Sequence, residues 1–184
     1  SLFVLFMVVT SGVTLNTNAL ALSNDSQVTL LDSAGNVMDV RANSQSTKIS
    51  LDAIPEHTKN AFICMEDKRF YSHKGVDLIR IGGAIINNLN PHSNKQGGST
   101  ISQQLIKNSQ LSGERTYTRK MKEIKLARDL ERRYTKNEIL EMYLNTIYFG
   151  NGCYGIEDAS KFYFNKHASE LSLNESALLV AVIN

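Results

Sequence analysis

Residues 119–134 read RKMKEIKLARDLERRY. Met121, Ile124, Ala127, Leu130 and Tyr134 recur at spacings of three and four, the stripe of an amphipathic helix that faces a core. Lys122, Lys125, Arg128, Arg132, Arg133 and Lys136 fall away from that stripe and are expected to be solvated or to face anionic lipid. Glu123 behaves differently. Its direction lies near the middle of the apolar stripe, with Arg119 and Lys120 one turn earlier toward the same side. A carboxylate aimed at a core is costly unless it is paired or lines a cleft. A structural Glu123–Arg119 ion pair and a reactive site both meet that condition, and periodicity alone does not choose between them.

Outward from this helix the chain reads as further helices with unusually legible starts. Thr100 has Gln103 three residues on, Thr135 has Glu138 and Ser172 has Glu175, each a capping box that satisfies free N–H groups at a helix start. Asp52 is placed to cap a helix with Pro55 in its first turn, and Gly75 to end that helix in a left-handed conformation. Asn90–Pro91 ends the next one. Val28–Leu31 and Val37–Val40, around the turn residues DSAGN, read as a small β-hairpin. The fold class expected is mainly α with a minor β element.

Two further stretches carry chemistry. In AFICMEDKRFYSHKG (61–75), Ala61, Phe62 and Met65 form the expected buried stripe and Glu66 sits at its rim; adjacent acids followed by Lys68 and Arg69 are otherwise most often a solvated patch. In QGGSTISQQLIKN (96–108), two glycines enter a capped helix start, where free N–H groups and the helix dipole favour an anion. Ser99 and Thr100 add hydroxyls, Lys107 lies two turns down, and no lysine follows the glycines at the spacing of a phosphate-binding Walker loop. Residues 107–136 hold ten of the chain's twenty Lys and Arg against four acids, which marks where an anionic partner belongs. The net charge of +2 gives no whole-molecule field of the kind a nucleic-acid binder carries. Cys64 and Cys153 fit no metal-ligand spacing and read as small buried apolar residues, with a disulfide between them as the rival reading.

Residues 1–15 are apolar and the first charge is Asp25, so 1–23 are expected to be the outer half of a transmembrane anchor, with a signal peptide as the rival reading. Residues 24–48 follow as a short β linker and 49–184 as the main domain, which stops inside the apolar run SALLVAVIN and is expected to continue beyond it. Two carboxylates, a cationic cluster and a membrane tether together suit transfer of a sugar from a diphosphate-linked lipid.

At these residues the chain resembles the family 51 glycosyltransferases, the transglycosylase domain of class A penicillin-binding proteins and of monofunctional peptidoglycan glycosyltransferases. Four ordered blocks carry the resemblance: EDKRFYSHKG, GGSTISQQLIKN, RKMKE and KNEILEMYLNTIYFGNGCYGI; a fifth, ELSLNESALLVAVI, is partial and ends AVIN where family members commonly read A-G-L-P. The resemblance spans about 51–182. It implies a lysozyme-like, two-lobed helical domain with a membrane-associated, mobile region that fits 85–97. It implies Glu66 as the catalytic base and Glu123 as the second acidic residue, near the donor diphosphate. Lys107, Arg115, Arg119 and Lys120 match the cationic clamp, and Ser99, Thr100, Gln103 and Gln104 the donor-site contacts. Asp67, Phe70, His73 and Asn145 match supporting positions. The implied reaction polymerises lipid II onto a growing lipid-linked glycan with β-1,4 links and inversion, at the outer face of the bacterial cytoplasmic membrane, with moenomycin as an inhibitor and cell-wall synthesis proteins as possible partners. No cofactor is required by this reading; Mg²⁺ or Mn²⁺ could assist at the diphosphate, though no cation cage is visible. The rival readings are a lysozyme-like lytic enzyme, which has no need of the cationic cluster, and a membrane-tethered module that binds anionic lipid without catalysis.

Overall fold

The computed structural model describes residues 2–21, 27–31, 37–42, 47–89, 97–111 and 116–183. Among these, α1 (Leu2–Thr10) and α2 (Thr17–Ala21) precede two antiparallel strands, β1 (Gln27–Leu31) and β2 (Val37–Ala42), with Gln27 opposite Ala42 and an irregularity between Leu30 and Leu31. The turn expected at 32–36 lies outside the described residues. A short 3-10 turn, Leu51–Ala53, leads into α3 (Glu56–Glu66); a second, Phe70–Ser72, leads into α4 (Leu78–Leu89). Then come α5 (Ile101–Gln110), α6 (Tyr117–Arg133), α7 (Lys136–Leu144), α8 (Ile156–Phe164) and α9 (Leu173–Val182). The chain is mainly helical.

The three capping boxes at Thr100, Thr135 and Ser172 are all formed, each with its side chain accepting from the backbone three residues on. One helix start and one helix end differ from expectation. Asp52 caps nothing: it lies inside the 3-10 turn, and Pro55 occupies the position before α3 with no side-chain cap. Gly75 does adopt a left-handed φ of 89°, but α3 has already ended at Glu66, because Asp67 turns out of the helix at φ −161°. Gly75 instead lets the chain pass against α6.

One core joins the elements: Phe62 of α3, Leu105 and Ile106 of α5, Leu130 of α6, Tyr143 and Leu144 of α7 and Leu179 of α9 are buried together, with Phe149 edge-on to Phe62 at 6.0 Å. Burial of several such side chains, at about 1.5–3 kcal/mol each, fixes α5 between α6 and α7 and α3 against α9. Buried hydroxyls of Thr58 and Ser176 meet at 2.8 Å where α3 crosses α9.

The stripe on α3 is rotated from the one expected. Thr58, Phe62, Ile63 and Glu66 face inward, whereas Met65 is 63% exposed and Ala61 only half-buried. Cys64 shares the outward face and is exposed, against the expectation of burial, while Cys153 is buried; both are free thiols. On α6, Ala127 and Leu130 are buried as expected, joined by Leu126 and Glu123. Lys125 donates to the Val13 carbonyl and pairs with Asp129, so it is not simply solvated. Among the described residues no helix is long and apolar enough to cross a membrane. Val4, Leu5, Met7 and Val8 of α1 and Leu78, Ile79, Ile86 and Leu89 of α4 stand exposed.

Candidate active site

Glu66 is the last residue of α3, 7% exposed, and its Oε2 accepts a 2.7 Å hydrogen bond from Gln104 Nε2. Its main-chain carbonyl accepts from the Arg80 guanidinium, whose Nε also donates to the Gly97 carbonyl. Asp77 accepts the Arg80 backbone N–H and a two-pronged ion pair from Arg69 at 2.9 Å on each prong, a charge-assisted geometry that ties this loop together. Although burial pushes the other way, the Arg69 hydrogen bond and the Arg80 N–H hold the Asp77 carboxyl below its usual range, and Arg69 in turn is raised by Asp77. Arg69 is therefore tied to the scaffold through Asp77 while its side chain stays partly exposed.

Glu123 is 1% exposed. Its Oε1 accepts from Gln103 Nε2 at 3.1 Å and from Lys120 Nζ, and its Oε2 accepts from Arg119 Nη1 at 3.0 Å. Lys120 Nζ also reaches Ser99 Oγ at 2.9 Å. The periodicity that put Glu123 in the apolar stripe thus points it at two cations and an amide. Removing those partners from a buried carboxylate would leave a charge costing about 3–5 kcal/mol.

Two successive residues of α5 hold the two glutamates: Gln103 binds Glu123 and Gln104 binds Glu66. The Thr100 capping box fixes the first of them. Thr100 Oγ1 accepts from Gln103 N, Gln103 Oε1 accepts from Thr100 N, and Thr100 Oγ1 donates to the Gly75 carbonyl at 2.7 Å. The buried Tyr143 hydroxyl donates to Gln104 Oε1 at 3.4 Å; burial first, then the charges of Glu66 and Asp67, raise it far above an ordinary tyrosine, so it stays a neutral donor. Sequence reasoning misses Tyr143 because its position on α7 reads as plain core.

Of the other expected residues, Asp67 is fully buried beside Glu66 and its Oδ2 accepts from Ile101 N at 3.0 Å and from His73 Nε2 at 2.8 Å. Phe70 is buried and edge-on to His73 at 6.2 Å. Lys107 lies one turn after Gln103 and Gln104, exposed, and forms no ion pair among the described residues. Arg115 lies outside the described residues. Asn145 stands apart from the glutamates: its amide pairs with the backbone N–H and carbonyl of Ile49, at 2.9 Å each, and also donates to the Glu141 carbonyl. It staples the segment before α3 onto α7.

Both Glu123 oxygens are occupied by Arg119, Lys120 and Gln103, and among the described residues no three His, Cys, Asp or Glu side chains gather as a metal cage. The arrangement offers one buried carboxylate positioned by an amide and a second locked among cations. A carboxylate so placed can accept a proton at one place, while the cations around the other can stabilise a departing anion.

A family model described as "Transglycosylase" matches residues 34–184. Penicillin-binding protein 1F of Bacillus subtilis is 47% identical over 134 residues, which is 73% of this chain and 19% of that protein. Penicillin-binding protein 1A of Aquifex aeolicus is 52% identical over 134 residues, 73% of this chain and 18% of its own length. Penicillin-binding protein 1A/1B of Bacillus subtilis is 44% identical over 155 residues, covering 84% of this chain and 17% of the relative. The chain thus spans about a fifth of the length of these relatives, and over that span it belongs to the transglycosylase family.

Proposed function

We propose that the chain is the catalytic part of a peptidoglycan glycosyltransferase that joins lipid II to a growing lipid-linked glycan. The observation that carries this reading is the pair of buried glutamates held by successive glutamines of α5, one of them wrapped by Arg119 and Lys120. A lytic enzyme whose leaving group is a sugar has no use for that cationic wrap.

Glu66 acts as general base. It takes the proton of the acceptor 4-hydroxyl as the acceptor oxygen bonds to the anomeric carbon of the donor and the bond from that carbon to the diphosphate oxygen breaks. The attack inverts an α-linked donor to a β-1,4 product, needs no covalent sugar–enzyme intermediate, and releases undecaprenyl diphosphate. Gln104 fixes the Glu66 carboxylate. Arg119, Lys120, Lys107 and Arg115 neutralise the leaving diphosphate, with Ser99, Thr100 and Gln103 completing its cradle. Glu123 keeps Arg119 and Lys120 aimed into that cradle. The two-lobed, lysozyme-like architecture and the placement on the outer face of the cytoplasmic membrane, anchored through 1–23, belong to the same proposal. The exposed apolar side chains of α1 and α4 support the membrane placement. Moenomycin, as a lipid-phosphate mimic of the donor, is the expected inhibitor. Incubation with lipid II and, separately, with finished cell wall tests the reading: glycan strands from lipid II are expected, and muropeptides cut from finished wall would replace it with a lytic one.

A further inference from the structure

Beyond Asp67 and His73 the buried network continues through two more charged residues, Glu131 and Lys136. Glu131, near the end of α6, has a side chain only 4% exposed. It accepts a 2.5 Å hydrogen bond from Ser102 Oγ, pairs with Lys136 Nζ at 2.7 Å, and lies 3.7 Å from His73 Nδ1. Lys136, the first residue of α7, sits 4.4 Å over the ring of Phe70 as well, a cation–π contact. Helical periodicity along α6 sends Lys136 to solvent, but that helix ends at Arg133, Tyr134 is extended, and Thr135 caps a new helix whose first residue is Lys136.

His73 therefore has a carboxylate on each side: Asp67 at Nε2 and Glu131 toward Nδ1. His73 Nδ1 and Asp67 Oδ1 are buried and make no hydrogen bond among the described residues, and Glu131 faces Nδ1 at 3.7 Å without one. The contacts run Lys136–Glu131–His73–Asp67, and Asp67 follows Glu66 directly. Both carboxylates also grip the first turn of α5, Asp67 through Ile101 N–H and Glu131 through Ser102. That turn leads straight to Gln103 and Gln104. A buried ionic network is a poor source of stability compared with apolar packing of the same volume, but it fixes orientation well.

We infer that Glu131 and Lys136 are positioning residues for the transfer reaction: they hold His73, and through it Asp67 and the start of α5, in the register that aims Glu66. This rests on Glu66 being the base. Both carboxylates face the His73 ring, so removing the charge of Glu131 alters the surroundings that the ring nitrogens report.

The test uses the chain in detergent micelles with ¹⁵N-histidine, together with thermal melting and steady-state lipid II polymerisation by Glu131→Gln, Lys136→Met, His73→Gln and the double variant His73→Gln/Glu131→Gln. The single variants at 131 and 136 are expected to fold, to shift the His73 ring ¹⁵N resonances, and to lower kcat about 10- to 100-fold with KM changed by less than about threefold. The double variant should lose no more than the worse single one, because both cut the same chain. Folded variants with near-wild-type kcat, unchanged His73 resonances or multiplying losses would overturn the inference. Failure of both Glu131→Gln and Lys136→Met to fold would overturn it too, since the pair would then be structural. The His73 spectra need no turnover, so an active Glu66→Gln variant would remove the base assignment while leaving the coupling measured.

Discussion

Substituting alanine for Gly75 tests how tightly the loop after α3 is fitted to α6. Gly75 sits at φ 89°, where a side chain is strained by about 1–2 kcal/mol. A Cβ there would lie 2.6 Å from the Ala127 carbonyl oxygen, 2.8 Å from its carbon and 2.9 Å from Arg128 N. These are backbone atoms in the middle of a helix, so no side chain can swing away. The helix must shift by several tenths of an ångström against a close-packed core, which costs about 1–3 kcal/mol more. The sum is a loss of about 2–5 kcal/mol. Because the Gly75 carbonyl also accepts the Thr100 hydroxyl, the α5 start should move with it. Gly83, inside α4, is the control: a Cβ added there would meet nothing within 4 Å, and alanine should stabilise by about 0.5–1 kcal/mol. Urea titration of both variants measures the difference. A Gly75→Ala loss below about 1 kcal/mol would refute the reasoning from close approach.

Three further outcomes follow from the same structure. The Glu175 carboxyl is pulled down to about 2, first by Lys166 and then by the Ser172 cap. A depressed carboxyl contributes stability above its unfolded value of 4.5 and loses it as pH falls toward 2, so Glu175→Gln should flatten the stability profile in that window and nowhere else. Asn145→Ala should lower stability by roughly 1–3 kcal/mol by stranding the Ile49 backbone groups, and in the folded fraction should leave kcat and KM for lipid II unchanged; a selective loss of turnover would give Asn145 a part in the chemistry. Lys107→Ala and Arg119→Ala should each weaken moenomycin binding by about tenfold or more, read by titration calorimetry, and unchanged affinity in both would remove the clamp.

What the sequence discloses is whatever depends on short range. Capping boxes are patterns of four residues, so Thr100, Thr135 and Ser172 can be read directly. Glu123 stands out because a charge in an apolar stripe breaks a strong period. The α3 stripe is misjudged because Met65 and Phe62 are equally apolar, and only packing on α9, with Thr58 against Ser176, decides which faces inward. The left-handed glycine at 75 is legible as a residue type, but its place is not, since the exit of the chain at Asp67 is set by contacts with Ile101 and His73 far along the sequence. Arg80, Tyr143 and the Glu131–Lys136 pair escape for the same reason: each acts across a gap between elements that no local period reports. The family resemblance, by contrast, delivers Asp67 and His73 as support before their shared network is visible.

The measurement that bears most directly on the central claim is the size distribution of products from labelled lipid II in detergent, with wild type and Glu66→Gln compared at equal folded concentration. If Glu66 is the base, wild type yields a ladder of long glycan and the variant, equally folded and still binding lipid II, yields product at least about a hundredfold more slowly. A ladder from the variant at near-wild-type rate would contradict the assignment of Glu66.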